Sequence, residues 1–109
     1  MEKQFEVIID LIKQSRDNAI RVVNAELIDL YWNIGDYISK QIKSAAWGQS
    51  VVKNLSDYLQ QNEPDLKGFS DKNLWRMKQF YETYADYPLL SPLVREISWT
   101  NNLIIIFAD

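Results

Sequence analysis

The chain has 109 residues, 47% hydrophobic and 25% charged, with a formal net charge of -3; it is long enough to bury one core and too apolar to be disordered. Three Gly and three Pro are few for this length, which argues for long helices over a turn-rich β fold. The absence of Cys and His removes disulfides, thiol nucleophiles and the commonest neutral-pH base and nitrogen ligand.

A chain without either could still hold Mg²⁺ or Ca²⁺ on carboxylates or use paired acids, but no catalytic residue, metal ligand or cofactor is expected in it. Its start, Met1-Glu2-Lys3-Gln4, leads into an amphipathic segment, unlike the basic start and apolar run of a signal peptide. No stretch approaches the roughly 20 apolar residues of a membrane span. A cytoplasmic protein with no membrane contact is the expectation. Residues 49–81 carry five basic and four acidic side chains, whereas residues 82–109 carry one basic and four acidic. Any polyanion contact is thus expected in the middle third.

The first element is a helix over about Lys3–Lys43. Phe5, Ile8, Ile9, Ile12, Ala19, Ile20, Val23, Leu27, Leu30, Tyr31, Ile34, Ile38 and Ile42 recur at spacings of three and four. Arg16 alone interrupts the stripe. Asn24 is a candidate cap for a second helix, so a break there is the alternative. Unbroken, the helix would be about 60 Å long at 1.5 Å per residue, too long for one small domain to cover. Gly35 inside it points to close packing, under a Trp ring, or to a bend. The segment is expected to end at Trp47-Gly48, with Gly48 left-handed.

A second helix is predicted over Ser50–Gln61, capped by Ser50, buried through Val51, Val52, Leu55 and Leu59, and stopped by Pro64. A third begins after an N-cap at Ser70, with Phe69 stapled onto Leu74, and runs to about Tyr84–Asp86. Its core face is Leu74, Met77, Phe80, Tyr81 and Tyr84. Pro88 and Pro92 bracket a connector. Over 97–107 the apolar run Leu103-Ile104-Ile105-Ile106-Phe107 reads as a strand by propensity, or as a helix capped by Thr100. The fold class is thus mainly α: a long amphipathic N-terminal helix, a helix-turn-helix-like pair, and either a wing or a further helix at the C-terminal end.

An ordered set of motifs adds to this reading. Asn24-Ala25-Glu26-Leu27, Tyr31-Trp32-Asn33-Ile34-Gly35, Trp47-Gly48, Leu55-Ser56, Gly68-Phe69-Ser70, Asn73-Leu74, Met77 with Phe80-Tyr81, and Ser98-Trp99-Thr100 occur in that order. With them the chain resembles the N-terminal domain of the YhcG family, bacterial proteins predicted to be nucleases. The resemblance implies one domain over 1–109, followed beyond Asp109 by a domain resembling the PD-(D/E)XK nucleases, which would use a divalent metal such as Mg²⁺. It also implies a helix-turn-helix or winged-helix-like module, with DNA as a partner. Relatives often have His where this chain has Asn101. Pro64-Asp65-Leu66-Lys67 matches the letters of the nuclease signature, but one short turn between helices cannot bring two carboxylates and a lysine onto a metal.

Two functions from different classes follow. The first is a non-catalytic, DNA-targeting module of a nuclease. A recognition helix entering the major groove would present Lys72, Asn73, Arg76, Gln79 and Thr83, residue types suited to phosphate, guanine and adenine; the same residues would also make an ordinary solvated face. The alternative is a helical dimerisation or interaction module that positions the nuclease domain, with Ile8, Ile12, Ile20, Val23 and Trp75 at the interface and a homo-oligomer as its product.

Overall fold

The computed structural model describes residues 2–45 and 47–106. Four α-helices and one 3₁₀ helix follow in order: α1 Glu2–Lys43, α2 Gln49–Asn62, α3 Asp71–Tyr84, the 3₁₀ helix Ser91–Glu96 and α4 Trp99–Ile106. There is no strand among the described residues. The chain is mainly α, as its pattern predicts.

The first helix is continuous through Asn24. Its 42 residues correspond to about 63 Å of rise and set the 67 Å long axis of the molecule. The radius of gyration is 18.2 Å, against roughly 13 Å for a compact chain of this size. A rod emerging from a small domain accounts for the excess.

Asn24 does not cap a helix. Its side-chain amide donates to the carbonyls of Arg95 and Ile97, each at 3.1 Å. Arg95 adds an ion pair to Asp29 at 2.9 Å. Together these contacts tie the 3₁₀ helix across α1 at the level where α1 enters the domain.

The core is built on α3. Leu74, Met77 and Phe80 are fully buried and meet Ile28 and Ile38 of α1, Val52 of α2 and Val94 of the 3₁₀ helix. Gly35 faces the backbone of α3 and not a Trp ring. A Cβ there would overlap the Met77 carbonyl and lie 3.1 Å from Tyr81 Cβ. The helices approach closely because position 35 has no side chain.

Aromatic rings fill the remaining space edge to face. Trp32 meets Phe80 and Tyr81 with centroids 5.6 and 5.1 Å apart, and Trp99 meets Phe80 at 5.3 Å. Such pairs match a ring's positive edge to its neighbour's negative face. Burial raises the Tyr81 phenol above its ordinary value, and Asp36 beside it adds to the rise.

Several helix ends differ from expectation. The left-handed residue after α1 is Ala45, with φ 62°, whereas Gly48 is extended, with φ -112°, and is the N-cap of α2. Ser50 therefore lies inside the first turn of α2. At α3 the expected cap is present: Ser70 Oγ accepts from the Asn73 backbone N–H at 3.1 Å, and half-buried Phe69 packs against the cluster containing Leu74.

The strand or wing reading of the C-terminal run is replaced by helix α4. Ser98, not Thr100, caps it, accepting from the Asn101 N–H at 3.1 Å. Asn102 is fully buried, and its amide donates to the carbonyls of Val94, Ile97 and Ser98. These local bonds outweigh the β propensity of the following isoleucines. Phe107, which belonged to that run, lies outside the described residues.

Candidate interaction surfaces

Two surfaces carry most of the predicted contact residues. The first is on α1. Every residue from Gln4 to Val23 is exposed. Ile8, Ile12, Ile20 and Val23, the predicted interface residues of α1, have 55%, 53%, 68% and 59% of their surface open.

This stripe is not the face that α1 gives to its own domain. Ile28, Trp32, Gly35 and Ser39 lie nearly half a turn around the helix from the line through Phe5, Ile12, Val23 and Leu30, at 100° per residue. Ile28 and Ile38 are 1% exposed, whereas Leu27 and Leu30, on the stripe, remain 42% and 43% exposed. The outward stripe thus stays open as far as Leu30. From Ile34 onward the domain borders it: half-buried Ile34 packs against the core, Leu55 and Leu59 of α2 line a pocket with Ile34 and Tyr37, and Trp47 stacks edge to face on Tyr37 at 5.6 Å.

The second surface is a groove of 580 Å³ between α3 and α4. Lys72, Trp75, Arg76 and Gln79 line it from α3, and Thr100, Leu103 and Ile104 from α4. No carboxylate is among these lining residues, so two cations border an apolar floor. Half-buried Trp75 carries the Lys78 ammonium 5.6 Å from its ring centroid, and Lys78 also pairs with Glu82. The structure therefore brings Lys72, Arg76 and Gln79 onto one rim with Trp75.

The other two predicted contact residues do not line this groove. Asn73 is half-buried and fully engaged: its amide donates to the Gly68 carbonyl and its oxygen accepts from Trp99 Nε1 at 3.2 Å. That side chain holds the α2–α3 connection and α4 together. Thr83 donates its hydroxyl to the Gln79 carbonyl at 2.7 Å and is not a groove residue. The α4 wall, Thr100, Leu103 and Ile104, follows only from the helical reading of 97–107, which the sequence leaves as one of two alternatives.

Asn101 is exposed on the first turn of α4. Asp65 and Lys67 are exposed in the turn between α2 and α3. Among the described residues, no cluster of three or more acidic side chains is placed to share a metal ion, and no helix is long and apolar enough to cross a membrane.

The chain belongs to the DUF1016 N-terminal domain family, which matches residues 7–109 and is the N-terminal part of YhcG-like proteins. No curated protein and no solved structure matches the chain.

Proposed function

We propose that this domain is a non-catalytic assembly module of a nuclease, pairing copies of the chain through the outward stripe of α1. The nuclease chemistry, with its divalent metal, belongs on this reading to a domain beyond Asp109, and pairing sets the separation of two such domains. One observation carries the proposal. Residues 4–23 are exposed throughout and include nine large apolar side chains at least 49% open to solvent, six of which, Phe5, Ile8, Ile9, Ile12, Ile20 and Val23, lie on the outward stripe. Monomeric proteins rarely leave so continuous an apolar surface uncovered, and helix pairing along such a stripe is the usual way to bury it.

Sedimentation over a range of concentrations tests this. The wild type should pass from monomer to dimer or tetramer, and the variant carrying Ile8→Glu and Ile12→Glu should remain monomeric with an unchanged melting temperature. A wild-type monomer at high micromolar concentration would defeat the proposal.

A second reading, a DNA contact, is favoured by a different observation. Lys72, Arg76 and Gln79 share one rim of a groove whose lining contains no acid, which suits phosphate and base edges. Affinity for duplex DNA that falls steeply with salt would support it; assembly alone gives no such slope.

A further inference from the structure

Three of the nine large apolar side chains on the free arm of α1 lie off the outward stripe. They are Val7, Leu11 and Val22, all exposed. At 100° per residue they form a second line, about a third of a turn around the helix from Phe5, Ile12 and Val23. Ile8 and Ala19 fall between the two lines. The apolar face of residues 5–23 therefore spans about 220° of the helix, and only Ser15, Arg16 and Asn18 interrupt it.

Charges keep to the rest of the circumference. Glu6, Asp10, Lys13, Asp17 and Arg21 are exposed and lie within about 80° of one another. They are on the side that α1 turns toward its own domain further along, at Ile28, Gly35 and Ser39. The second apolar line stops where the domain begins. Its side of the helix then carries Asp29, paired with Arg95, and Asp36, paired with Lys40, while exposed Glu26 takes the position between the two lines. The wide apolar face thus belongs to the arm alone.

We infer that the line of Val7, Leu11 and Val22 is a second interface, on which one pair of arms docks another pair, so that four copies of this chain form a four-helix bundle over residues 5–23. The inference rests on the assembly reading above and adds to it a further contact and a number of copies. Two helices in a pair bury a narrow stripe, whereas a helix of a four-helix bundle buries a wider one. Ile8 and Ile12, four apart near the centre of the face, place isoleucine at both kinds of seam position, a pattern that favours more than two strands. Pairing through the outward stripe alone would leave Val7, Leu11 and Val22 of both copies open to water. A second identical pair covers that surface while covering its own.

Geometry and charge both fit copies of this chain. The centre of the wide face, near Ile8 and Ala19, lies nearly opposite the side that packs on α3, so the domains would stand on the outside of the bundle, clear of its core. The charged side would also point outward, to water. A helix lying on a lipid surface would instead need a basic polar face; here Glu6, Asp10 and Asp17 stand against Lys13 and Arg21.

Sedimentation equilibrium of the full-length protein over a range of concentrations tests this by mass. The wild type should reach a tetramer. The variant carrying Val7→Gln, Leu11→Gln and Val22→Gln should stop at a dimer, while its far-UV circular dichroism stays that of the wild type. Ser15→Leu fills the polar gap between the two lines and should lower the concentration for half-assembly into tetramers about tenfold; a pair closed on the outward stripe alone would not respond to it. A wild-type dimer that grows no larger, or a trimer, would overturn the inference and leave the assembly reading standing. So would a tetramer that the triple variant leaves intact, or a triple variant that falls directly to monomer. A wild-type monomer at high micromolar concentration would overturn both.

Discussion

The two sides of α1 differ less in composition than in what meets them. The inward side, over Ile28, Trp32, Gly35 and Ser39, mixes large and small residues and follows the contour of α3. The outward side, over Phe5, Ile12, Val23 and Leu30, is uniformly large and touches little. Inward positions need a particular shape because a backbone lies against them; outward positions need only be apolar. That difference separates residues that hold the domain together from those available to a partner, and substitutions on the two sides should separate in the same way.

The largest effect is expected at Gly35. Gly35→Val would drive a branched side chain into the Met77 carbonyl, which belongs to backbone and cannot swing away. The helices would have to part, destabilising the domain by about 3 kcal/mol or more. A thermal melt followed by circular dichroism should show a large fall in Tm, or loss of the cooperative transition. A melt like that of the wild type would mean that α1 and α3 are not so closely packed.

The sharpest comparison uses one substitution on both sides. Ile28→Ala removes a side chain that is 1% exposed and should cost about 2–5 kcal/mol through lost transfer energy and the cavity left behind. Ile12→Ala, at 53% exposed, should change monomer stability by less than about 0.5 kcal/mol while weakening self-association. Denaturant titration of dilute protein gives the first number, and sedimentation gives the second. Equal losses of monomer stability would erase the distinction between the two faces.

The sequence makes the length of α1 legible because helical periodicity is local: apolar residues at spacings of three and four persist from Phe5 to Ile42 without Pro. The Ser70 cap and Phe69 staple are legible for the same reason. What periodicity misses is that two faces alternate along one rod. Ile28 and Ser39 fall off the apolar stripe, yet α3 selects them because small and large residues there match its ridges. Asn24 and Asn102 are misleading or silent in sequence because their partners, the carbonyls around the 3₁₀ helix, are assembled only by the fold. The groove is half legible: the α3 rim follows from helical spacing, but the α4 wall depends on a helix in a segment of high β propensity.

Asn24 marks the hand-over between the free arm and the packed part of α1, and its loss should have an intermediate effect. Asn24→Ala deletes two hydrogen bonds to the Arg95 and Ile97 carbonyls and should cost about 1–2 kcal/mol. Hydrogen exchange should quicken first around residues 91–97, with α3 still protected. Uniform loss of protection across the domain would show that the clamp supports the whole core rather than its edge.

The smallest effect on stability is expected at Arg76, and its value lies in what else it tests. The side chain is half-buried on the groove rim and makes no ion pair or hydrogen bond that the fold depends on, so Arg76→Ala should change stability by less than about 0.5 kcal/mol. Its effect on DNA depends on the contact. A specific base contact should cost about 1–3 kcal/mol of affinity. A phosphate contact should weaken binding to all sequences alike and reduce the salt slope by about one. If the outward face of α1 is the domain's working surface, both proteins should bind duplex DNA negligibly at physiological salt, and Arg76→Ala should leave self-association unchanged. Titrating both proteins at low and physiological salt distinguishes these outcomes. Salt-dependent wild-type binding that Arg76→Ala abolishes would give the groove a function of its own, alongside that of α1. Equal, measurable affinities would move any DNA contact away from the α3 rim.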